Sequence, residues 1–101
     1  MKKILIVNGP NLNLLGNREK KFYGDTTLEK IKTLCDQHCR KNEIACSFFQ
    51  SNHEGELIEK IHSVNNEFSG IIINPAAYTH TSIALLDALR ATNKPKIEIH
   101  I

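Results

Sequence analysis

The sequence predicts an α/β domain built on a parallel sheet, and three observations carry that reading. Four short apolar runs rich in β-branched residues recur along the chain: Ile4 to Val7, Ile44 to Phe49, Gly70 to Ile73, and Lys96 to Ile101. Three segments with helical spacing lie between them. Helix-start and helix-stop residues punctuate the joins. The resulting order, β-α-β-α-β-α-β, implies parallel strands linked by right-handed crossovers, with helices on both faces. The expected architecture is a flavodoxin-like doubly wound sheet with strand order 2-1-3-4. The 101 residues leave room for a single domain spanning 1–101.

The elements follow in order. The first three apolar runs read as strands buried on both faces. The first helical segment carries Leu28, Ile31, Leu34, Cys35 and Cys39, with the two cysteines expected on its buried face as small hydrophobes. The second carries Leu57, Ile58, Ile61 and Val64. The third carries Ile83, Leu86 and Leu89, with Arg90 at its polar edge. Thr26-x-x-Glu29 and Ser51-x-x-Glu54 fit the capping-box pattern, in which a hydroxyl and a carboxylate satisfy orphan backbone donors reciprocally. Thr79 or Thr81 is placed to cap the third helix, and Asn93-Lys94-Pro95 to end it, because proline disfavours helix in the residue before it. One connection is abnormal. From Asn8 to Asp25 run about 18 residues without strong periodicity, where a βα loop takes roughly 2–6. Gly9, Gly16 and Gly24 supply hinge-capable positions in it.

Composition narrows the function classes. A net charge of +2, with scattered lysines and arginines, gives no footprint for nucleic acid. No apolar stretch approaches the roughly 20 residues of a membrane span. The apolar run after Lys2-Lys3 is shorter than the roughly 7–15 residues of a signal-peptide core. Cys35, Cys39 and Cys46 form an odd set without framework spacing, which suits a reducing compartment, so a cytoplasmic location is expected. Cys35-x-x-His38-Cys39 falls short of the four ligands a zinc site takes, and no metal is expected.

In an open parallel sheet, ligands bind beyond the carboxyl ends of the strands. The predicted strands run there into Asn8-Gly9-Pro10-Asn11, into Gln50-Ser51-Asn52-His53-Glu54, and into Asn74-Pro75-Ala76-Ala77-Tyr78-Thr79-His80. The fourth carries Glu98 and His100 between isoleucines. Amides, hydroxyls and imidazoles thus gather at one edge, as in a pocket that recognises a hydroxylated small molecule through neutral donors and acceptors. The long first loop adds Arg18 and Tyr23. Free tyrosine is a poor base at neutral pH, and lowering its pKa by about 3 units takes about 4 kcal/mol, which a nearby guanidinium can supply. Arg18 and Tyr23 are therefore a candidate activator and general base.

Four stretches together resemble the type II dehydroquinases: Asn8 to Glu19 followed by Tyr23-Gly24, Phe49 to Ile58, Ile73 to Ser82, and Glu98-Ile99-His100-Ile101. The resemblance runs in register over the whole chain. It implies a trans-elimination of water from 3-dehydroquinate through an enolate, with no metal, organic cofactor or covalent imine. By resemblance, Tyr23 would be the base, Arg18 would keep it ionised, and Asn11 would hold the water that stabilises the enolate. His100 would be the acid and Glu98 would orient it. Asn74, His80 and the backbone at Ile101 would bind the substrate's hydroxyls and carboxylate. Asp87 would reach a neighbouring subunit's site, since the family assembles as trimers that build a dodecamer.

Two departures from the family pattern stand out. Ala76 occupies a position where the family has glycine, for which a small backbone adjustment is expected. The family also continues past the position of Ile101 with a serine, an arginine, a fifth strand and a final helix, so the chain is expected to be incomplete at its C-terminus. His100, next to the end, is then expected to fray, and the fourth strand to expose an isoleucine-bearing edge. Two functional readings follow: a dehydratase, or a catalytically weak relative that binds small polar ligands or serves as an interaction module. A phosphate or nucleotide binder is disfavoured, because Gly9 to Gly16 lacks the Gly-Lys-Ser/Thr of a P-loop.

Overall fold

A computed structural model describes residues 1–16 and 25–100 of the chain. Four parallel strands form one sheet: β1 (Lys2–Asn8), β2 (Ile44–Gln50), β3 (Gly70–Asn74) and β4 (Lys96–Glu98). Their order is β2-β1-β3-β4, as the alternation of elements predicts. The helices are α1 (Leu28–Lys41), α2 (Glu54–His62), α3 (Val64–Glu67), α4 (Tyr78–Thr81) and α5 (Ile83–Arg90). A single 3-10 turn, Leu12–Leu14, follows β1. The short α4 and 3-10 turn are additions to the predicted set, too brief to show a helical period in the sequence, and Val64, expected on the second helix, opens a separate α3 instead.

The core lies on one face of the sheet. Leu5 and Val7 of β1 and Ile71 and Ile73 of β3 pack there against Leu57 and Ile61 of α2, Val64, Phe68, and Leu85 and Ala88 of α5. The opposite face is covered unevenly. It carries Ile6, its neighbour Ile72 and, next to that, Ile97, since these residues pair across the strands. Exposure climbs along that row: Ile6 is 7% exposed and Ile97 59%. The cover at the β2 end is α1, which touches Cys46 through Asp36. Burial of the first three strands on both faces is thus overstated for β2, which is an edge strand and half-buried throughout. Ile97 and Ile99 of the β4 segment are exposed as expected, at 59% and 43%. The strand itself is shorter than the predicted run, although Ile99 extends the ladder by donating its N–H to the Ile73 carbonyl at 2.8 Å.

Three predicted caps are corrected. The residue capping α1 is Thr27, whose side chain accepts from the Lys30 N–H at 3.2 Å, and not Thr26. The Ser51–Glu54 box is not formed. Ser51 Oγ accepts from the His53 N–H at 2.9 Å and donates to Glu56, while Glu54 receives the hydroxyl of Ser82. Ser82 in turn caps α5, accepting from the Leu85 N–H at 3.0 Å, and displaces Thr79 and Thr81 from that role because they are spent in α4.

The cysteines sit half-buried rather than on a buried face, because α1 contains no fully buried residue. Cys46 contacts Cys39 and the Asp36 carboxylate. Burial foremost, then the hydrogen bond with Cys39 and the neighbouring Cys39, Asp36 and Cys35 charges, push its thiol from the ordinary 9.0 up to about 11. The folded state therefore holds this proton more tightly than the unfolded chain does. The corresponding stability is fully present below pH 9.0 and is lost as pH rises through about 11. Urea midpoints measured across that window should fall for the native sequence and fall less steeply for Cys46→Ala.

Candidate active site

The register brings the carboxyl ends of all four strands to one line. Asn8 pairs with Gln50 on one side and with Asn74 on the other, and Ile73 pairs with Glu98. The residues that follow these positions form the rim.

Asn74 is the most constrained of them. It is 3% exposed, and its Oδ1 accepts from the Ala76 N–H at 3.1 Å. Its Nδ2 is buried and has no partner among the described residues. An orphaned buried donor costs about 1–3 kcal/mol. Ala76 takes φ 54, the left-handed region that glycine enters freely and alanine does not. Gly9 closes this corner. Its N–H donates to the Asn74 carbonyl at 2.8 Å, and a Cβ added to it would stand 2.5 Å from the Pro75 oxygen.

At the neighbouring strand end, His100 Nε2 lies 3.1 Å from Glu98 Oε2. A carboxylate accepts only, so the Nε2 proton is donated and Nδ1 is left to face elsewhere. Asn11 also has a positive φ, 68°, and opens the 3-10 turn. Its N–H is held at 2.8 Å by the side-chain oxygen of Asn52. The Gln50 amide reaches the Gly9 carbonyl at 3.1 Å and the same Asn52 oxygen at 3.2 Å. Tyr78 OH donates to the Asn52 carbonyl at 3.3 Å. Gln50, Asn52 and Tyr78 were visible in the sequence as rim polar groups, but nothing in their spacing singles them out as ties between loops.

Of the residues predicted for the site, Asn11, Asn74, Glu98 and His100 stand at this rim. Asp87 lies on the exposed face of α5. His80 belongs to α4, and its side chain is outside the described residues. Arg18, Tyr23 and Ile101 also lie outside the described residues. Among the described residues no cluster of three or more histidines, cysteines or acids could hold a metal ion. No helix among them is long and apolar enough to cross a membrane.

The family described as Dehydroquinase class II matches residues 2–101. The chain belongs to this family. It is 54% identical over its whole length to a 3-dehydroquinate dehydratase of Thermoanaerobacter pseudethanolicus and covers 68% of that protein. It is 52% identical to a catabolic 3-dehydroquinase of Talaromyces marneffei, again over its whole length, and covers 58% of that protein. The crystal structure of a type II dehydroquinase from Butyrivibrio crossotus superposes with a TM-score of 0.95 at 47% identity, covering 99% of this chain and 70% of that one. The chain thus carries the flavodoxin-like sheet of a class II dehydroquinase through its fourth strand.

The corner between Gly9 and Ala76 is the part of the site most sensitive to single atoms. Gly9→Ala should lower stability by about 2 kcal/mol, since the new methyl has backbone rather than a flexible side chain to displace. Ala76→Gly should raise it by about 1 kcal/mol by relieving the left-handed strain. Denaturant midpoints of the two variants would check both signs.

Proposed function

We propose that the chain is a 3-dehydroquinate dehydratase that eliminates water from 3-dehydroquinate to give 3-dehydroshikimate, a step of the shikimate pathway. The observation that carries the reading is the buried Asn74 with its unpaired amide nitrogen, one strand away from the His100–Glu98 pair. A hydroxyl or carboxylate oxygen of a small polar ligand is the acceptor this nitrogen lacks. The names of the relatives, 3-dehydroquinate dehydratase and catabolic 3-dehydroquinase, support the same substrate.

In the proposed mechanism the Tyr23 phenolate, kept ionised by the Arg18 guanidinium, takes the proton next to the substrate ketone. The electron pair moves into an enolate, stabilised by a water held at Asn11. The enolate then collapses, forming the carbon–carbon double bond and expelling the β-hydroxyl. His100 protonates that hydroxyl, so it leaves as water. The ketone lowers the barrier to proton abstraction, while the hydroxyl is a poor leaving group and needs an acid. Glu98 orients His100 through the Nε2 contact at 3.1 Å. Asn74, His80 and the backbone at Ile101 bind the substrate. No step requires a metal or organic cofactor.

The proposal extends to assembly and compartment. Asp87 sits on the exposed side of α5 beside Leu86, 47% exposed, and Ile83, 82% exposed. An apolar stripe of this kind suits contact with a further copy. Trimers building a dodecamer, in which Asp87 reaches a neighbour's site, fit it. Three unpaired cysteines suit the reducing cytoplasm.

The decisive measurement follows the conjugated enone by ultraviolet absorbance after 3-dehydroquinate is added. Turnover should be seen, and Tyr23→Phe should lose it by roughly 10²–10⁴-fold. A folded protein with no turnover would shift the reading to a weak relative that binds polar ligands. Asn74→Ala should act chiefly on KM, because it removes a binding donor rather than the acid or base. Light scattering on the same sample should report a mass several times that of one chain.

A further inference from the structure

We propose that Asn52 is a positioning residue for this reaction: its side-chain oxygen clamps the start of the first loop and acts on the chemistry through Asn11. The inference rests on the dehydratase reading and names a part of the site's machinery beyond the groups assigned above.

Three observations converge on this residue. Asn11 stands at φ 68 and ψ −4, in the left-handed region that asparagine enters more readily than other non-glycine residues and that here turns the chain out of β1. What holds it is one contact on each side of the residue. Its N–H donates to Asn52 Oδ1 at 2.8 Å, and its carbonyl accepts from the Leu14 N–H at 3.0 Å. The direction in which Asn11 presents its amide, and the direction in which the chain leaves towards Arg18 and Tyr23, are therefore tied to Asn52.

The clamp is itself braced. Gln50 Nε2 donates to the same Asn52 oxygen at 3.2 Å and to the Gly9 carbonyl at 3.1 Å. Both partners of that Asn52 atom are N–H donors, so the atom facing them is the oxygen and not the nitrogen. The Asn52 main-chain carbonyl meanwhile accepts from Tyr78 OH at 3.3 Å, which links the loop after β3. One exposed side chain thus keys the loops after β1 and β2, and its backbone keys the third. Because Asn52 packs into no core, removing its side chain opens no cavity. The loss falls on the hydrogen bond and on what that bond positions.

Two substitutions separate this role from others. Asn52→Asp keeps an acceptor oxygen at the same point and suits both donors. Asn52→Ala removes it. If Asn52 instead touched substrate through its amide nitrogen, the aspartate would fail as badly as the alanine.

The experiment pairs amide hydrogen exchange by nuclear magnetic resonance with steady-state kinetics on 3-dehydroquinate. In Asn52→Ala, the Asn11 amide should exchange faster while Ile71 and Ile73 in β3 keep their protection. Its kcat should fall roughly tenfold to a hundredfold with KM moving far less, the size expected when a catalytic group is displaced by a fraction of a bond length. Asn52→Asp should recover Asn11 protection and most of kcat, with any repulsion of the anionic substrate appearing in KM. Unchanged Asn11 exchange in the alanine variant would overturn the proposal. So would faster exchange with unchanged kcat in an active enzyme, or an aspartate variant no better than the alanine. A native chain with no turnover would count against the dehydratase reading alone, and the exchange comparison would still decide whether the clamp exists.

Discussion

The site is organised around a buried amide that the described residues satisfy on one side only. Asn74 ends β3 in the middle of the sheet, where water does not reach it. Its oxygen is occupied by the Ala76 N–H, which fixes the side-chain plane and leaves the nitrogen without a partner among the described residues. Holding that arrangement costs twice. The orphaned donor forgoes about 1–3 kcal/mol, and the alanine that supplies the N–H sits in left-handed conformation at a cost of about 1–2 kcal/mol. Among the described residues nothing offsets the orphaned donor, and under the proposed function a ligand oxygen at Nδ2 would.

Such strain is sustained because the loops around Asn74 have few degrees of freedom left. Gly9 lies against Pro75 with no room for a methyl group. Glu54 at the start of α2 takes the hydroxyl of Ser82 at the start of α5, so the two helices of the core face begin from a common point. The core beneath them is continuous from Leu5 to Ala88. The packing is one-sided, however. Well-buried residues and loop ties concentrate on the face that carries α2 and α5, whereas the opposite face thins out towards β4, where Ile97 and Ile99 meet solvent. Burial is therefore deepest at β1 and β3, the first leading into Asn11 and the second ending at Asn74, and shallowest at β4, which ends at Glu98 two residues before His100.

The sheet order was legible because it follows from alternation and chirality, which depend on no single residue. So was the gathering of amides at one edge, which follows from where parallel strands end. The caps were not. Ser51 and Glu54 have the spacing of a capping box, yet Ser51 turns to Glu56 and Glu54 to Ser82, a residue 28 positions away. Local spacing cannot register a competitor supplied by tertiary structure. The role of Asn52 is hidden for the same reason: its partners, Asn11 and Tyr78, come from segments distant in the chain. Ala76 departs from the family pattern, and its φ of 54 gives that departure its physical content. The Arg18–Tyr23 pair lies outside the described residues, so that part of the site rests on the sequence.

The proposed chemistry divides unevenly between rigid and less constrained parts, and the division has a reason. The acid must be oriented before substrate arrives, since a histidine free to rotate would offer either nitrogen. The Glu98 contact at 3.1 Å removes that choice by taking Nε2, and it is made within one strand end, two residues apart, so it survives small shifts of β4 relative to β3. The base has a different requirement. A tyrosinate exposed to water recovers an ordinary pKa, so the proposed activation of Tyr23 depends on a guanidinium beside it. A base carried by the long first loop can meet that condition only if the loop starts from a fixed point. Under the proposal that fixed point is Asn11, whose left-handed turn accepts its brace from outside the loop, at Asn52 beyond the end of β2.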